Sequence, residues 1–120
     1  MNTKEFFEDL YLNFNARHIE NVLVLLSEDV KWANGMEGGF VHGRDAVREY
    51  WTRQFTMANP QVTPQEITDD AGKTVVKVHQ IVKDMDGNLI LDLMIDHIFH
   101  LENGLVKTFE IGEAPEWFKK

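Results

Sequence analysis

One histidine, His97, interrupts the apolar face of the longest strand-like stretch in the sequence. From Leu89 to Leu101 every second residue is apolar except this one, and residues two apart on a strand share a face. A neutral imidazole offers one hydrogen-bond donor and one acceptor, and burial favours that neutral form. We therefore predict that His97 faces the core, where it can orient a ligand carbonyl or act as a base. The alternative is a core histidine that is paired with a backbone carbonyl or a water.

Asn34 and Tyr50 are the other polar residues predicted to meet a ligand. Asn34 follows Trp32 at strand spacing, and Trp32 is too large and apolar to be left outside the core. Asn34 either contacts a ligand or holds His97, or it caps the glycine-rich turn that follows it. Tyr50 lies on the apolar stripe of a predicted helix, so its hydroxyl either reaches the pocket or is the wet tip of a packing residue.

The acidic residues and histidines on the opposite face of the strand do not predict a metal site. Asp92, Asp96 and His100 follow one another in steps of four, and one such step spans roughly 13 Å on a strand. This distance is too long for the side chains to bind one ion. We interpret these residues, with His79, as a polar outer face, and we expect neither a metal nor a cofactor.

The register of the two central strands depends on the turn between them. If residues 86–87 form a two-residue hairpin turn, Lys77 lies opposite Asp96 as a favourable cross-strand ion pair. This register places Gln80 on the inner face. A three-residue turn would shift the pairing and bring His79 inward instead. We favour the two-residue turn.

Length, charge and composition narrow the class of protein. The 120 residues suffice for one domain, spanning 1–120, that buries a core without metals or disulfides. There is no cysteine, and the net charge of −8 argues against nucleic-acid binding, which needs a basic surface. No apolar run reaches the roughly 18 residues of a membrane span, and the first residues lack the features of a signal or transit peptide. We therefore expect a cytoplasmic protein that binds neither nucleic acid nor membrane.

Three helical segments precede the main strands. Asn2 and Glu5 form a predicted capping box at the start of the first helix. A second, short helix is predicted to end near Ser27. The third follows Gly43 and stops where Pro60 follows Asn59. Their apolar stripes are Phe7, Leu10, Tyr11 and Phe14; Ile19, Val22, Leu23 and Leu26; and Ala46, Val47, Tyr50, Trp51, Gln54, Phe55 and Ala58.

The pattern changes to period two after Pro60. Pro64 makes the first strand of this part an edge or bulged strand, because proline cannot donate a ladder hydrogen bond. We predict an α+β domain in which three N-terminal helices pack on a mainly antiparallel sheet. The predicted strands are 29–34, 61–68, 74–83, 89–101 and 105–112.

Three stretches of the sequence resemble segments of a known fold family. Residues 25–32 (LLSEDVKW) resemble its helix-to-strand segment, residues 41–51 (VHGRDAVREYW) the start of its third helix, and residues 97–106 (HIFHLENGLV) a hairpin. The family is the cone-shaped fold shared by nuclear transport factor 2, ketosteroid isomerase and the SnoaL-like polyketide cyclases. The order and spacing match over nearly the whole chain. The resemblance implies a curved sheet wrapped around the third helix, with a pocket inside the cone.

The resemblance also implies which residues form the pocket. Their mostly apolar composition with a few polar groups is typical of a small-molecule site. Steroid isomerases need a base and an oxyanion-binding pair where this chain has Asn34, Leu10 and His97. An amide is not basic, and leucine cannot donate a hydrogen bond, so that chemistry is not expected. The implied wall is Leu10, Phe14, Trp32, Asn34, Tyr50, Leu93, Ile95, His97, Phe109 and Ile111.

Two functions remain open from the sequence. In the first, the protein binds a small apolar carbonyl-bearing molecule in the pocket, and transforms it if His97 performs acid–base chemistry. In the second, it is a non-catalytic dimerisation or partner-binding module, and its own aromatic side chains fill the cone. A cavity of about 300 Å³ or more favours the first function, and a filled cone favours the second.

The outer face of the long strand predicts a homodimer. Ile90, Met94 and Ile98, with Ile81 as a further candidate, lie on the side that the helices do not cover. Left in water, they would form a contiguous apolar patch. Members of the family that the chain resembles often dimerise through this face.

Overall fold

The computed structural model describes residues 2–35, 37–70 and 72–112. The strands form one six-stranded sheet in the order β2-β1-β6-β5-β4-β3, which is curved and unclosed. All neighbouring strands are antiparallel except β1 and β6, which are parallel. The predicted α+β fold is thus confirmed. The elements are α1 (Thr3–Asn15), α2 (Ile19–Leu23), β1 (Leu26–Ala33), β2 (Phe40–His42), α3 (Arg44–Met57), β3 (Asn59–Asp70), β4 (Lys73–Lys83), β5 (Leu89–Glu102) and β6 (Leu105–Ile111).

The ends of α1 and α3 follow the local sequence signals. The side-chain oxygen of Asn2 accepts a hydrogen bond from the backbone N–H of Glu5 at 2.8 Å, which satisfies one of the free donors at the start of α1. The helix α3 ends at Met57, with Ala58 as its C-cap, just before Pro60. Both helices turn their apolar stripes to the sheet.

The predicted second helix is wrong at its C-terminal end. Instead of continuing to Ser27, α2 stops at Leu23 and β1 already begins at Leu26. Leu26 pairs with Val106 of β6, and the N–H of Val106 donates to the carbonyl of Leu25 at 2.9 Å. Helical spacing is a local signal, and pairing with a strand some 80 residues away in sequence overrides it.

The hairpin between β4 and β5 has the predicted register but not the predicted turn. Lys77 lies opposite Asp96, as expected. However, the N–H of Asp84 donates to the carbonyl of Asn88, so three residues form the turn. The register then shifts between Val82 and the next residue, and this bulge restores the predicted pairing.

The alternation along β5 separates the core from the outer face. Phe99 and His97 are buried on the inner side, with only 8% of the His97 surface exposed. On the other side, Ile90 is 60% and Met94 45% exposed. His79 also lies on the outer side, where its Nε2 is 2.6 Å from Oδ1 of Asp92. The His97 side chain therefore points to the inner face of the sheet, as predicted.

None of the described helices is long and apolar enough to cross a membrane. The cytoplasmic location and the assignment of residues 1–120 to one domain stay predictions.

Candidate functional site

A cavity lies between the two longer helices and the inner face of the sheet. It holds about 80 Å³, and together with its solvent-open entrance it encloses about 580 Å³. Most of its lining is aromatic or aliphatic, and no lining side chain in the described parts of the chain carries a formal charge at pH 7. The lining residues are Leu10, Tyr11, Phe14, Trp32, Ala33, Gly35, Tyr50, Trp51, Gln54, Pro60, Val62, Gln80, His97, Phe99, Phe109 and Ile111.

A hydrogen bond between Tyr11 and His97 forms the polar floor of this cavity. The Tyr11 hydroxyl lies 2.7 Å from Nδ1 of His97, and Tyr11 is only 4% exposed. Burial raises the pKa of Tyr11 well above its ordinary value of 10.0. Burial also lowers the pKa of His97 from 6.5 to about 3. Both groups are therefore neutral at pH 7.

The hydrogen-bond partners available to Tyr11 and His97 determine the tautomer of the His97 ring. Within the described residues, neither Tyr11 nor His97 makes another side-chain hydrogen bond. If the phenol donates to Nδ1 of His97, only the N–H at Nε2 is left without a protein partner. If Nδ1 donated instead, the phenol proton and Nε2 would both be unpaired, which costs more. The ring thus carries its proton at Nε2.

This Nε2 atom is reachable from the cavity. The only fully buried and unpaired side-chain polar atom in the described residues is Oγ of Ser27. Nε2 of His97 has no hydrogen-bond partner among the described residues and is not fully buried, so it retains accessible surface. The site therefore offers one neutral N–H donor to a hydrogen-bond acceptor in the cavity.

Aromatic rings fix the orientation of the imidazole. Phe109 meets His97 edge to face, with ring centroids 4.8 Å apart. Behind Phe109, Trp32 stacks on it at 4.1 Å, and Trp51 meets Trp32 edge to face at 5.1 Å. Such contacts hold rings in defined positions, so the imidazole donor has a fixed direction.

Tyr50 and Asn34 are engaged with the loop after β1. The Tyr50 hydroxyl accepts a hydrogen bond from the N–H of Gly35 at 3.1 Å. The side-chain oxygen of Asn34 accepts one from the N–H of Glu37 at 2.9 Å. Asn34 thus caps the glycine-rich turn, which is the structural alternative that its sequence position left open.

The family model of the SnoaL-like domain matches residues 7–109 of the chain. The chain belongs to the SnoaL-like domain family. The comparison with functionally curated proteins found no match.

Solved structures share the fold of this SnoaL-like domain. A nuclear transport factor 2-like protein of unknown function from Burkholderia pseudomallei is 27% identical, with a TM-score of 0.83 over 95% of this chain and 92% of that chain. TerC, co-crystallised with polyporic acid, is 23% identical, with a TM-score of 0.81 over 96% and 93%. A proposed polyketide cyclase from Sinorhizobium meliloti is 16% identical, with a TM-score of 0.76 over 89% and 93%. These likenesses establish the fold.

Seven of the ten wall residues predicted from the sequence line the cavity of this SnoaL-like domain. Asn34, Leu93 and Ile95 do not. Asn34 turns towards its loop, whereas Leu93 and Ile95 are buried on the inner face of β5 within the core. The seven that line it are Leu10, Phe14, Trp32, Tyr50, His97, Phe109 and Ile111.

Sequence reasoning missed the phenol that contacts His97. The family resemblance placed Leu10 where steroid isomerases carry a tyrosine, and leucine has no hydroxyl. Leu10 and Tyr11 both line the cavity, and the hydroxyl comes from the second of them. Tyr11 belongs to the buried stripe of α1, and a buried phenol needs a partner. That stripe was the signal that could have identified it. Gln54 and Gln80 are further polar lining residues that the pocket prediction omitted.

Proposed function

We propose that this SnoaL-like domain binds a small, apolar, carbonyl-bearing molecule in its cavity, and that Nε2–H of His97 donates a hydrogen bond to the carbonyl oxygen. The observation that carries this proposal is the Tyr11–His97 hydrogen bond of 2.7 Å. It occupies Nδ1 and leaves a directed donor in a mostly apolar cavity. The co-crystal of TerC with polyporic acid supports the use of this fold for small organic molecules.

Of the two roles considered for His97, the structure favours orientation over proton removal. A general base works best when its pKa lies near the working pH, and burial lowers the pKa of His97 to about 3. A neutral N–H donor in a dry site can instead stabilise negative charge that develops on a carbonyl oxygen. If the domain transforms its ligand, we propose that His97 acts through this stabilisation.

The size of the cavity limits the ligand and favours a second candidate function. About 80 Å³ is well below the roughly 300 Å³ of a typical ligand site. This observation supports a non-catalytic module whose cone is filled by its own aromatic rings. Under the first proposal, only the carbonyl end of the ligand enters the cavity, and the remainder lies in the entrance.

Acetophenone and ethylbenzene distinguish these candidates, because they differ in shape by little more than the carbonyl oxygen. Trp32 and Trp51 line the cavity, so tryptophan fluorescence reports binding, with calorimetry as a second readout. We expect acetophenone to bind about tenfold more tightly than ethylbenzene, which corresponds to one net hydrogen bond. The preference should disappear in His97→Phe.

The matched control is His42→Phe, since His42 is exposed on β2 and does not line the cavity. It should retain the preference for acetophenone. Equal binding of the two probes by the unchanged protein would refute the role of His97. Binding of neither probe would favour the filled module.

We further propose that the domain forms a homodimer through the outer face of the sheet. Ile90 and Met94 are 60% and 45% exposed there, unlike the buried apolar side chains on the inner face of the sheet. Ile98 follows them at the same period of four. Burying these side chains against a second copy would remove their apolar surface from water.

A further inference from the structure

Among the described residues, no side chain that lines the cavity offers a counter-charge to an ionic ligand. Its lining side chains in the described parts of the chain are aromatic, aliphatic, amide or imidazole. The imidazole of His97 is itself neutral at pH 7, because burial holds its pKa at about 3. A charged group moved into such surroundings loses its hydration without gaining an opposite charge.

Two further neutral polar groups line the cavity. Gln54 of α3 and Gln80 of β4 both line it and are half-buried. In the part of the chain that the structure describes, neither side chain makes a hydrogen bond. A carboxamide provides two donors and one acceptor, so both residues have capacity for a ligand.

The strand register separates Gln80 from the polar floor. His97 lies opposite Val76 and Gln80 lies opposite Leu93. Gln80 is therefore four residues along the sheet from the position opposite His97, or roughly 13 Å at the backbone. His97 is almost fully buried, whereas Gln80 is half-buried. The cavity thus has a buried polar end and a partly solvated polar end, with apolar walls between them.

We infer that the ligand is uncharged and carries two polar groups: a carbonyl that meets His97, and a second neutral group that meets Gln80 and Gln54 at the entrance. This inference rests on the proposed function, whose carbonyl contact it extends. It assigns Gln80 and Gln54 a role in selecting a neutral second group.

Three probes with one shared carbonyl test the inference. Acetophenone has no second polar group, 4-acetylbenzamide has a neutral one, and 4-acetylbenzoate has a charged one of nearly the same shape. At pH 7 we expect 4-acetylbenzamide to bind about tenfold more tightly than 4-acetylbenzoate, and more tightly than acetophenone. Calorimetry measures all three affinities under one set of conditions.

Two substitutions at the entrance make the test specific. In Gln80→Leu, the advantage of 4-acetylbenzamide over acetophenone should disappear. In Gln80→Lys, the new cation should improve the binding of 4-acetylbenzoate about tenfold. Misfolding cannot produce such a gain in affinity, so this result would be specific to the new charge.

The outcomes separate the inference from the function on which it rests. If acetophenone binds through His97 but 4-acetylbenzoate binds as well as 4-acetylbenzamide, the inference is overturned and the proposed function stands. A failure of Gln80→Lys to improve the binding of 4-acetylbenzoate would likewise overturn the role of Gln80. If no probe binds, the proposed function and the inference are both overturned.

Discussion

Lowering the pH should destabilise the fold through His97. The folded protein keeps this ring neutral, because burial holds its pKa at about 3, against 6.5 for an unperturbed histidine. Between these two values the unfolded chain binds a proton that the folded chain does not, so stability falls as the pH falls. From pH 7 to pH 5, the two pKa values give a loss of about 2 kcal/mol in the free energy of unfolding.

Urea denaturation followed by circular dichroism at the two pH values measures this loss. In His97→Gln, the side chain is neutral throughout and its amide can still pair with Tyr11. This variant should lack the His97 contribution, so it should lose about 2 kcal/mol less than the unchanged protein. His42→Gln removes an exposed histidine from β2 and is the matched control, which should behave like the unchanged protein.

Other charges contribute to the pH dependence, and the comparison removes them. The net charge of −8 falls in magnitude as the pH falls, which relieves repulsion in all variants alike. The pKa of Asp29 is lowered by its hydrogen bond with Lys107, and that contribution is lost only at lower pH. If His97→Gln and the unchanged protein lose the same stability between pH 7 and pH 5, then His97 is not held neutral by burial, and the tautomer argument fails with it.

Two further predictions concern the site and the outer face. Tyr11→Phe keeps the ring but leaves Nδ1 of His97 without its donor, so it should lower the free energy of unfolding by about 1–3 kcal/mol; a change below about 0.5 kcal/mol in urea denaturation would be that of an ordinary surface substitution and would contradict the contact. Met94→Glu should convert a dimer into a monomer of 13.9 kDa in sedimentation velocity, because it places a charge in the proposed apolar interface. The control Leu12→Glu, on a residue of α1 that is 68% exposed, should leave the dimer intact, and a monomeric unchanged protein at micromolar concentration would refute the interface.

The features that the sequence predicted correctly are those set by local periodicity. The period of two from Leu89 to Leu101 identified the inner and outer faces of β5. Of the two registers that the turn left open, the sheet adopts the favoured one, in which Lys77 lies opposite Asp96. Each signal lies within one strand or one hairpin. A shift by one residue would have turned the apolar face of β5 to solvent, so burial selects the register strongly.

The features that the sequence did not predict depend on distant residues. Tyr11 and His97 are 86 positions apart, and periodicity says only that each faces the core. The early start of β1 depends on pairing with β6, which no local signal near Leu26 reports. The cavity volume depends on how rings such as Trp32 and Phe109 stack. Composition gives the presence of these rings but not the space between them.

The same burial that makes His97 a weak base also explains why its contact should select a carbonyl. An N–H at Nε2 that is left unpaired costs about 1–3 kcal/mol, and a cavity of about 80 Å³ has room for a few waters that can accept from it. A ligand that reaches His97 must therefore replace a hydrogen bond to water. A carbonyl oxygen replaces it, whereas a methyl or methylene group leaves the donor unpaired. Selectivity then arises from this exchange and not from the strength of the new bond alone, so it should persist at any pH at which the ring stays neutral.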